Sequence, residues 1–218
     1  MSIRSNYEAI YSRISGVSRD VTIIAVSKTK PVELVIEAIE SGIKVFGENR
    51  IQEGIEKFTE LKKLHPDILL HHIGPVQSGT LKKLFGLFDF THGVGSLSTL
   101  EDLSKQSLKL KKLLRFFLQI NLTEEVSKSG FSETELLKVF PNLQNYETEY
   151  LRFHGFMTMG PTNEDKELTK KVFDKLSKIR NEISPNANLS MGMSGDFELA
   201  LDSGTDYVRI GSAIFGSR

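Results

Sequence analysis

The stretch that decides the fold is VTIIAVSK, residues Val21–Lys28. Among its first six residues, five are apolar and the remaining one is Thr22, a pattern typical of a strand buried on both faces. Pro31 follows closely and opens a segment with apolar residues three and four positions apart, which predicts a helix with one buried stripe. That stripe is formed by Val32, Val35, Ile36 and Ile39. A buried strand followed at once by a helix is the unit from which parallel sheets are built.

The same alternation of strand and helix continues to the end of the chain. We predict a helix over Asn6–Ser15 and then eight strands, at Val21–Val26, Lys44–Gly47, Leu69–Ile73, Phe90–Val94, Leu114–Asn121, Phe153–Met159, Leu189–Met193 and Tyr207–Gly211. Eight parallel strands joined by helices favour a closed (β/α)8 barrel, the TIM barrel, with the additional helix at its N-terminus. One domain over residues 1–218 accounts for the whole chain.

An open doubly wound sheet is the alternative architecture. Its dinucleotide-binding version needs a glycine-rich turn after the first strand. Here the turn Ser27–Pro31 contains no glycine, and the chain has no P-loop motif. The barrel is therefore the preferred prediction for this α/β protein.

The composition excludes several functional classes. The chain has 28 Lys and Arg against 28 Asp and Glu, so no excess of charge points to a nucleic acid, a membrane surface or an acidic partner. It has no cysteine, which excludes disulfides, thiolate metal sites and cysteine nucleophiles. The N-terminal residues lack the apolar segment of a secretory signal, and no stretch is long enough to span a bilayer. We therefore expect a cytoplasmic protein.

Lys28 stands where a barrel keeps its reactive groups, at the carboxyl end of a strand. A lysine partly removed from water loses basicity, and its amine can then attack a carbonyl group. Lys28 is therefore a candidate Schiff-base lysine. The alternative is a lysine that reaches past the strand end into solvent, which is the commoner position of this residue type.

In a closed barrel the last strand pairs with the first, which brings the C-terminal segment next to Lys28. The main-chain amides of Gly211, Ser212 and Ala213 would then open a short helix and attract an anion, in a fold that commonly binds phosphate after strands seven and eight. Ser194, after the seventh strand, would offer its hydroxyl to the same anion. The alternative interpretation makes Ser194 the N-cap of the next helix and Gly211 a turn residue.

Alternation along the last strand places Val208 and Ile210 on one face and Arg209 on the other. If the apolar pair packs against helices, Arg209 points into the barrel, where a buried guanidinium needs an acceptor. That acceptor is either a structural carboxylate or a ligand atom. A lysine, an anion site and an inward-pointing arginine together predict a pocket for pyridoxal phosphate.

The motifs of this chain resemble those of the pyridoxal phosphate homeostasis proteins, in the same order and over nearly the whole length. Six segments carry the resemblance, namely Ala25–Pro31, Phe46–Asn49, His71–Ser78, Ser127–Gly130, Met191–Ser194 and Val208–Gly216. The resemblance implies a fold type III pyridoxal phosphate protein, a single barrel related to the N-terminal domain of alanine racemase.

The resemblance also implies roles for the matching residues. Lys28 would form a Schiff base with the cofactor, and Arg209 would lie near its pyridine nitrogen. Asn49 and Met193 would line the ring, although Asn49 would alternatively cap the helix that follows it. The phosphate would be bound by a second group of residues, Ser194, Gly211 and Ser212.

The chain departs from the family pattern at two places. Gly79 and Thr80 stand where the family commonly has Asn-Lys, and Gly95 stands where an acidic residue is usual. These positions are separate from the predicted Schiff base. The departures bear on any contact at the rim of the pocket with a partner or a second ligand.

The function that the resemblance implies is to hold pyridoxal 5'-phosphate as a reversible Schiff base in intracellular vitamin B6 homeostasis, without strong catalysis. A racemase with an arginine at the ring nitrogen needs a second base from another domain, and we expect none because the chain ends at Arg218. The expected ligands are pyridoxal phosphate and related B6 vitamers, and pyridoxal phosphate-dependent enzymes are candidate recipients. Without the racemase's second domain we expect a monomer.

Two alternative functions belong to other classes. An amino acid racemase or lyase would use Tyr207 or His154 as its missing acid or base. A class I aldolase-like barrel would use Lys28 to attack a sugar phosphate directly, without a cofactor. The five histidines have no cluster of carboxylates around them, so we expect no metal site.

Overall fold

Eight parallel strands close into a barrel in the computed structural model, which describes residues 2–17, 20–76, 78–123, 125 and 128–216. The strands are β1 Thr22–Val26, β2 Val45–Glu48, β3 Leu69–His72, β4 Phe90–Val94, β5 Leu114–Gln119, β6 Leu151–Met157, β7 Asn188–Met193 and β8 Tyr207–Ile210. Each pairs with the next, and β8 pairs with β1 from Thr22 opposite Tyr207 to Ala25 opposite Ile210. The predicted barrel is confirmed, and the open sheet is wrong.

Helices follow the strands on the outside of the barrel. They are α1 Ile3–Ile14, α2 Val32–Glu40, α3 Ile51–Leu64, α4 Leu81–Leu84, α5 Leu97–Leu110, α6 Glu133–Val139, α7 Lys166–Ile183, α8 Phe197–Asp202 and α9 Ser212–Phe215, with 3-10 turns at Ser78–Thr80 and Phe140–Asn145. The additional N-terminal helix is confirmed as α1. None of the helices in the described part of the chain combines the length and the apolar character needed to span a bilayer.

Three elements, α1, β5 and β6, differ from the prediction by two residues or more at one end or both, and most of the other strands differ by one residue. Helix α1 begins three residues earlier than predicted because Ser2 caps it, its hydroxyl accepting from the amide of Ser5 at 3.2 Å. Strand β5 ends at Gln119, and Ile120 pairs instead with Phe131 of the following loop. Strand β6 begins at Leu151 because that residue pairs with the first residue of β5.

The barrel interior and the layer between the strands and the helices contain separate apolar clusters. Val208 and Ile210 of β8 are fully buried in the large apolar core. Inside the barrel, Phe90, Phe117 and Met157 form a separate small cluster. Imidazoles pack onto these rings, with His71 stacked on Phe90 and His92 stacked on Phe117 at centroid distances of 4.2 and 4.1 Å.

Gly155 occupies a point of very close strand contact. The register of β5 and β6 shifts just before it, and an ideal Cβ at Gly155 would lie 2.0 Å from the carbonyl oxygen of Asn188. We expect Gly155→Ala to destabilise the fold by roughly 3 kcal/mol or more, because two paired strands would have to separate. Urea unfolding checks this, with Gly79→Ala as the control because its added methyl meets nothing within 4 Å. Equal stability of the two variants would contradict the expectation.

Candidate functional site

A cavity of about 500 Å³ opens at the carboxyl end of the barrel strands. All seven residues predicted to bind a cofactor line it, namely Lys28, Asn49, Met193, Ser194, Arg209, Gly211 and Ser212. They come from the ends of four strands, β1, β2, β7 and β8. The closure of β8 onto β1 is what brings the two ends of the chain into one site.

Lys28 is half-buried and lies two residues beyond the end of β1. Its side chain lines the cavity rather than standing fully in solvent. The next residue, Thr29, has a positive φ of 63°, in the left-handed region that few β-branched residues adopt. The turn is closed by the amide of Lys30, which donates to the carbonyl of Ser27 at 3.0 Å.

Arg209 points into the barrel as the alternation predicts, and its side chain is almost wholly buried. Its Nη1 donates to the carbonyl and the hydroxyl of Ser190 at 2.9 and 2.7 Å, and its Nη2 donates to the carbonyl of Thr158 at 3.0 Å. A structural carboxylate was one predicted partner, but no ion pair among the described residues includes Arg209. Burial lowers the pKa of Arg209 to about 10, against the attraction of Asp196.

A hydrogen-bonded chain leads from Arg209 across the barrel interior. The Ser190 hydroxyl lies 2.9 Å from His92 Nδ1, and His92 Nε2 lies 2.9 Å from His71 Nδ1. Because a guanidinium only donates, the consistent assignment has Ser190 donating to His92 and His92 donating to His71. His71 Nε2 then carries a hydrogen and has no partner within the described ranges. This series of hydrogen bonds keeps the Arg209 side chain in one orientation.

Ser194 has a different role from the N-cap predicted as its alternative. Helix α8 begins at Phe197 and has Asp196 at its N-cap position. The Ser194 hydroxyl instead lies 3.2 Å from the amide of Gly211 and 3.4 Å from the amide of Ala213, and it accepts from both. The loops after β7 and β8 are therefore joined by a hydroxyl at the edge of the cavity.

Asn49 is not a helix cap either. The N-cap position of α3 belongs to Arg50, so Asn49 lies one residue too early to cap it. The neighbouring His72 is held by Thr91, whose hydroxyl lies 3.1 Å from its Nδ1. Asn49 itself lines the cavity.

The cavity has an excess of positive charge. Lys28, Lys30 and Arg209 line it, whereas Glu164 is the one acidic residue among its described lining. Lys30 Nζ also donates to the carbonyl of Gly216 at 3.0 Å. Such a lining favours an anionic ligand.

Sequence reasoning missed several residues of the cavity. Thr29 and Lys30 were recognisable from their place directly after Lys28, but Ile73, Met159 and Glu164 carried no signal of their own. These last three follow β3 and β6, whose carboxyl ends meet the cavity only in the folded barrel. A smaller cavity of about 280 Å³ adjoins it, and the two share Met159, Glu164, Met193 and Gly195.

Tyr207 and His154, the acid and base candidates of the racemase alternative, lie away from Lys28. They form a pair, with His154 Nε2 2.9 Å from the Tyr207 hydroxyl. Tyr207 is opposite Thr22 at the start of β1, and the strand extends for about 13 Å from there to Val26, before the turn that contains Lys28. Neither lines the cavity that contains Lys28.

The departures from the family pattern lie outside the main cavity. Gly79 and Thr80 belong to the short 3-10 turn before α4, whereas Gln77 of the same motif and Ser127 of a later motif lie outside the described residues. An ideal Cβ at Gly95 would be 2.9 Å from the amide nitrogen of Gly130. An acidic residue at position 95 would therefore require the two loops to move apart.

Three histidines, His71, His72 and His92, are buried, and His154 is half-buried. Burial lowers the pKa of His71 to about 3 and the pKa values of His72 and His154 to about 4. Burial also lowers the pKa of His92 well below its ordinary value, with His71 and Arg209 adding to the effect. Within the described ranges, no three His or acidic side chains converge as metal ligands would.

The buried histidines predict a loss of stability in weak acid. In the unfolded chain they bind protons as the pH falls through about 6.5, whereas in the folded chain they stay neutral to about pH 4. The unfolded state thus binds more protons, so the unfolding free energy falls with falling pH. Glu48 and Asp196, whose pKa values burial raises, act in the opposite direction but are outnumbered.

We expect the unfolding free energy to be lower by at least about 2 kcal/mol at about pH 5 than at about pH 7.5. Urea denaturation at the two pH values measures the difference. A value that stays constant or rises at the lower pH would contradict the neutral state of these histidines.

Comparison with known proteins agrees with this architecture. The family described as alanine racemase, N-terminal domain, matches residues 1–218. A pyridoxal phosphate homeostasis protein of Vibrio alginolyticus is 35% identical over 230 residues, covering 100% of this chain and 98% of that protein. The protein of the same name from Escherichia coli strain K12 is 33% identical over 222 residues, covering 99% and 94% of the two chains.

Solved structures of other proteins share this barrel fold. PipY of Synechococcus elongatus PCC7942 is 30% identical and covers 99% of this chain and 100% of its own, with TM-scores of 0.89 without PLP and 0.86 with PLP bound. An alanine racemase of Clostridium difficile 630 shares the fold at 17% identity, with a TM-score of 0.77. This chain spans about 60% of that racemase. The chain therefore belongs to the pyridoxal phosphate homeostasis protein family.

Proposed function

We propose that the chain forms one domain over residues 1–218 that binds pyridoxal 5'-phosphate and serves in intracellular vitamin B6 homeostasis. The names of the relatives and the PLP-bound form of PipY support this function. The observation that carries it is the meeting of a half-buried lysine, a buried arginine that forms no ion pair among the described residues and the Ser194 hydroxyl in one cavity.

The residues present fit this cofactor. Pyridoxal phosphate supplies an aldehyde that condenses with a lysine amine and releases water, together with a phosphate and a ring nitrogen that accept hydrogen bonds. We propose Lys28 as the amine that forms the Schiff base. The excess of positive charge in the cavity suits a dianionic phosphate, and a guanidinium desolvated in the barrel offers hydrogens to an acceptor.

The remaining roles divide between the two sides of the cavity. We propose that Ser194, Gly211 and Ser212 hold the phosphate, because the loops that carry them already meet through the Ser194 hydroxyl. Arg209 would face the ring nitrogen from the barrel interior. The ring would be lined by Asn49 and by Met193, whose side chain stands at the rim with 43% of its surface exposed.

We propose storage and release of the cofactor rather than strong catalysis. The distance from Lys28 to Tyr207 supports this, because the racemase alternative needs an acid or base close to the reacting carbon. Deuterium exchange at the α carbon of alanine tests the alternative, and exchange that requires Tyr207 would favour it. Recipient enzymes, the monomeric state and the cytoplasmic location stay predictions.

Titration of the purified protein with pyridoxal phosphate tests the proposed function. We expect a Schiff-base absorbance band, shifted to the red of the unbound aldehyde, that saturates at one equivalent, and we expect pyridoxal, which lacks the phosphate, to bind more weakly by about tenfold or more. Failure to develop the band would contradict cofactor binding. Trapping by borohydride with a sugar phosphate alone would favour the aldolase-like function instead.

A further inference from the structure

Lys28 lies in a turn whose backbone is strained. The positive φ of Thr29 is unfavourable for a β-branched residue, and none of the residues from Ser27 to Lys30 is a glycine. Such a conformation persists only where surrounding contacts hold it in place. The contacts that hold this turn therefore decide where the Lys28 amine points.

Three charged residues behind the turn supply these contacts. Glu48 ends β2, whereas Glu53 and Lys57 lie one helical turn apart on α3. Lys57 Nζ donates to Glu53 at 2.6 Å and to Glu48 at 3.1 Å. We call these three residues the turn clamp.

The clamp holds both neighbours of Lys28 directly. Lys57 Nζ donates to the carbonyl of Ser27 at 2.8 Å, and the Ser27 hydroxyl donates to Glu48 at 2.7 Å. On the other side, the amide of Thr29 donates to Glu53 Oε1 at 2.5 Å. All three hydrogens of the Lys57 ammonium are used in this way, by two carboxylates and one carbonyl.

The clamp is buried to an unusual degree for charged groups. The Glu48 side chain has no exposed surface, and those of Lys57 and Glu53 are 10% and 21% exposed. A buried ion pair adds little net stability compared with apolar packing of the same volume, so the contacts of these three side chains with the turn are their more specific feature. Burial raises the pKa of Glu48, and its Oε2 has no partner among the described residues.

We propose that Glu48, Glu53 and Lys57 are positioning residues for Lys28, which fix the strained turn so that the amine stays directed into the cavity. The inference rests on the proposed function for its chemical consequence. Its structural part, the fixing of the turn, concerns the protein without any ligand.

Lys57→Met tests the clamp against a closely matched control. Lys62 lies on the same helix and is also mostly buried, with its Nζ 2.6 Å from Asp89 and 2.9 Å from the carbonyl of Leu87, but it does not contact the turn. We expect Lys57→Met to speed hydrogen exchange at the Thr29 amide and to weaken binding of pyridoxal phosphate, each by about tenfold. Lys62→Met should stay within about twofold of the wild type in both measurements while losing comparable thermal stability.

Two variants at Glu53, one conservative and one not, separate the positioning of the turn from a general loss of protein stability. Glu53→Gln keeps an oxygen that accepts from Thr29, so it should stay within about threefold of the wild type in both measurements. Glu53→Ala removes the acceptor and should behave like Lys57→Met. Both substitutions lie on the outer side of the turn, which leaves the lining of the cavity unchanged.

The two readouts keep this inference distinct from the proposed function. If the wild type forms no link with pyridoxal phosphate, the proposed function fails, and the clamp is judged by exchange at Thr29 alone. Faster exchange in Lys57→Met but not in Lys62→Met supports the clamp. Equal exchange in these two variants, or cofactor binding in Lys57→Met equal to that in Lys62→Met when the wild type binds, would overturn it.

Discussion

Replacing Lys28 with alanine is expected to abolish covalent attachment of pyridoxal phosphate. At one equivalent of the cofactor the variant should show the spectrum of the unbound aldehyde without the red-shifted Schiff-base band, and its apparent affinity should fall by at least about 100-fold. The physical reason is that the amine of the half-buried Lys28, just beyond the end of β1, is the proposed nucleophile. Absorbance titration followed by borohydride reduction measures both quantities.

Lys28→Arg is the charge-matched companion to this variant. It keeps a cation in the cavity but removes the nucleophilic amine, so the band should still be absent. Reversible binding of the phosphate should be stronger than in Lys28→Ala because the added charge is retained. A Schiff-base band of wild-type intensity in either variant, or a pyridoxyl group that stays on the protein through dialysis after reduction, would show that another amine is the attachment point.

The second large effect is expected for Arg209→Leu. Removing the guanidinium takes away the hydrogen-bond donor that Ser190 and Thr158 orient, so we expect cofactor affinity to fall by about tenfold to 100-fold. The absorbance maximum of bound cofactor should also move, because the donor proposed to face the ring nitrogen is lost. Spectral titration measures both changes.

Arg180→Leu is the control for the second prediction. Arg180 is a half-buried arginine on α7 that donates to the carbonyl of Ala187, and it does not line the cavity. Its loss should leave affinity and absorbance maximum unchanged. If Arg209→Leu is folded by circular dichroism and still binds with wild-type affinity and spectrum, Arg209 has no part in cofactor binding.

The architecture was predictable because the strands are buried on both faces. A run such as Ile23–Val26 is apolar and buried throughout, and the eight runs recur with helices between them. The inward direction of Arg209 followed from simple alternation with Val208 and Ile210, both fully buried in the structure. Closure of the barrel then placed the two ends of the chain together without any further information.

The details of the site depended on tertiary contacts that local patterns do not encode. Asn49 and Ser194 each fit the sequence pattern of a helix cap, yet Arg50 and Asp196 occupy those positions. The series of hydrogen bonds from Arg209 through Ser190 and His92 to His71 joins four strands, and no spacing along one strand predicts it.

The turn clamp was equally hidden from sequence reasoning. Glu53 and Lys57 have the spacing of an ordinary exposed helical ion pair, a pattern that predicts a solvated surface. Their burial against Ser27 and Thr29 arises only when α3 packs beside β1 and β2.

Borohydride reduction of the protein loaded with pyridoxal phosphate, followed by peptide mass mapping, tests the central claim most directly. The account predicts one pyridoxyl group per chain, on the peptide that contains Lys28. A pyridoxyl group found on another lysine, or none at all after loading, would contradict it.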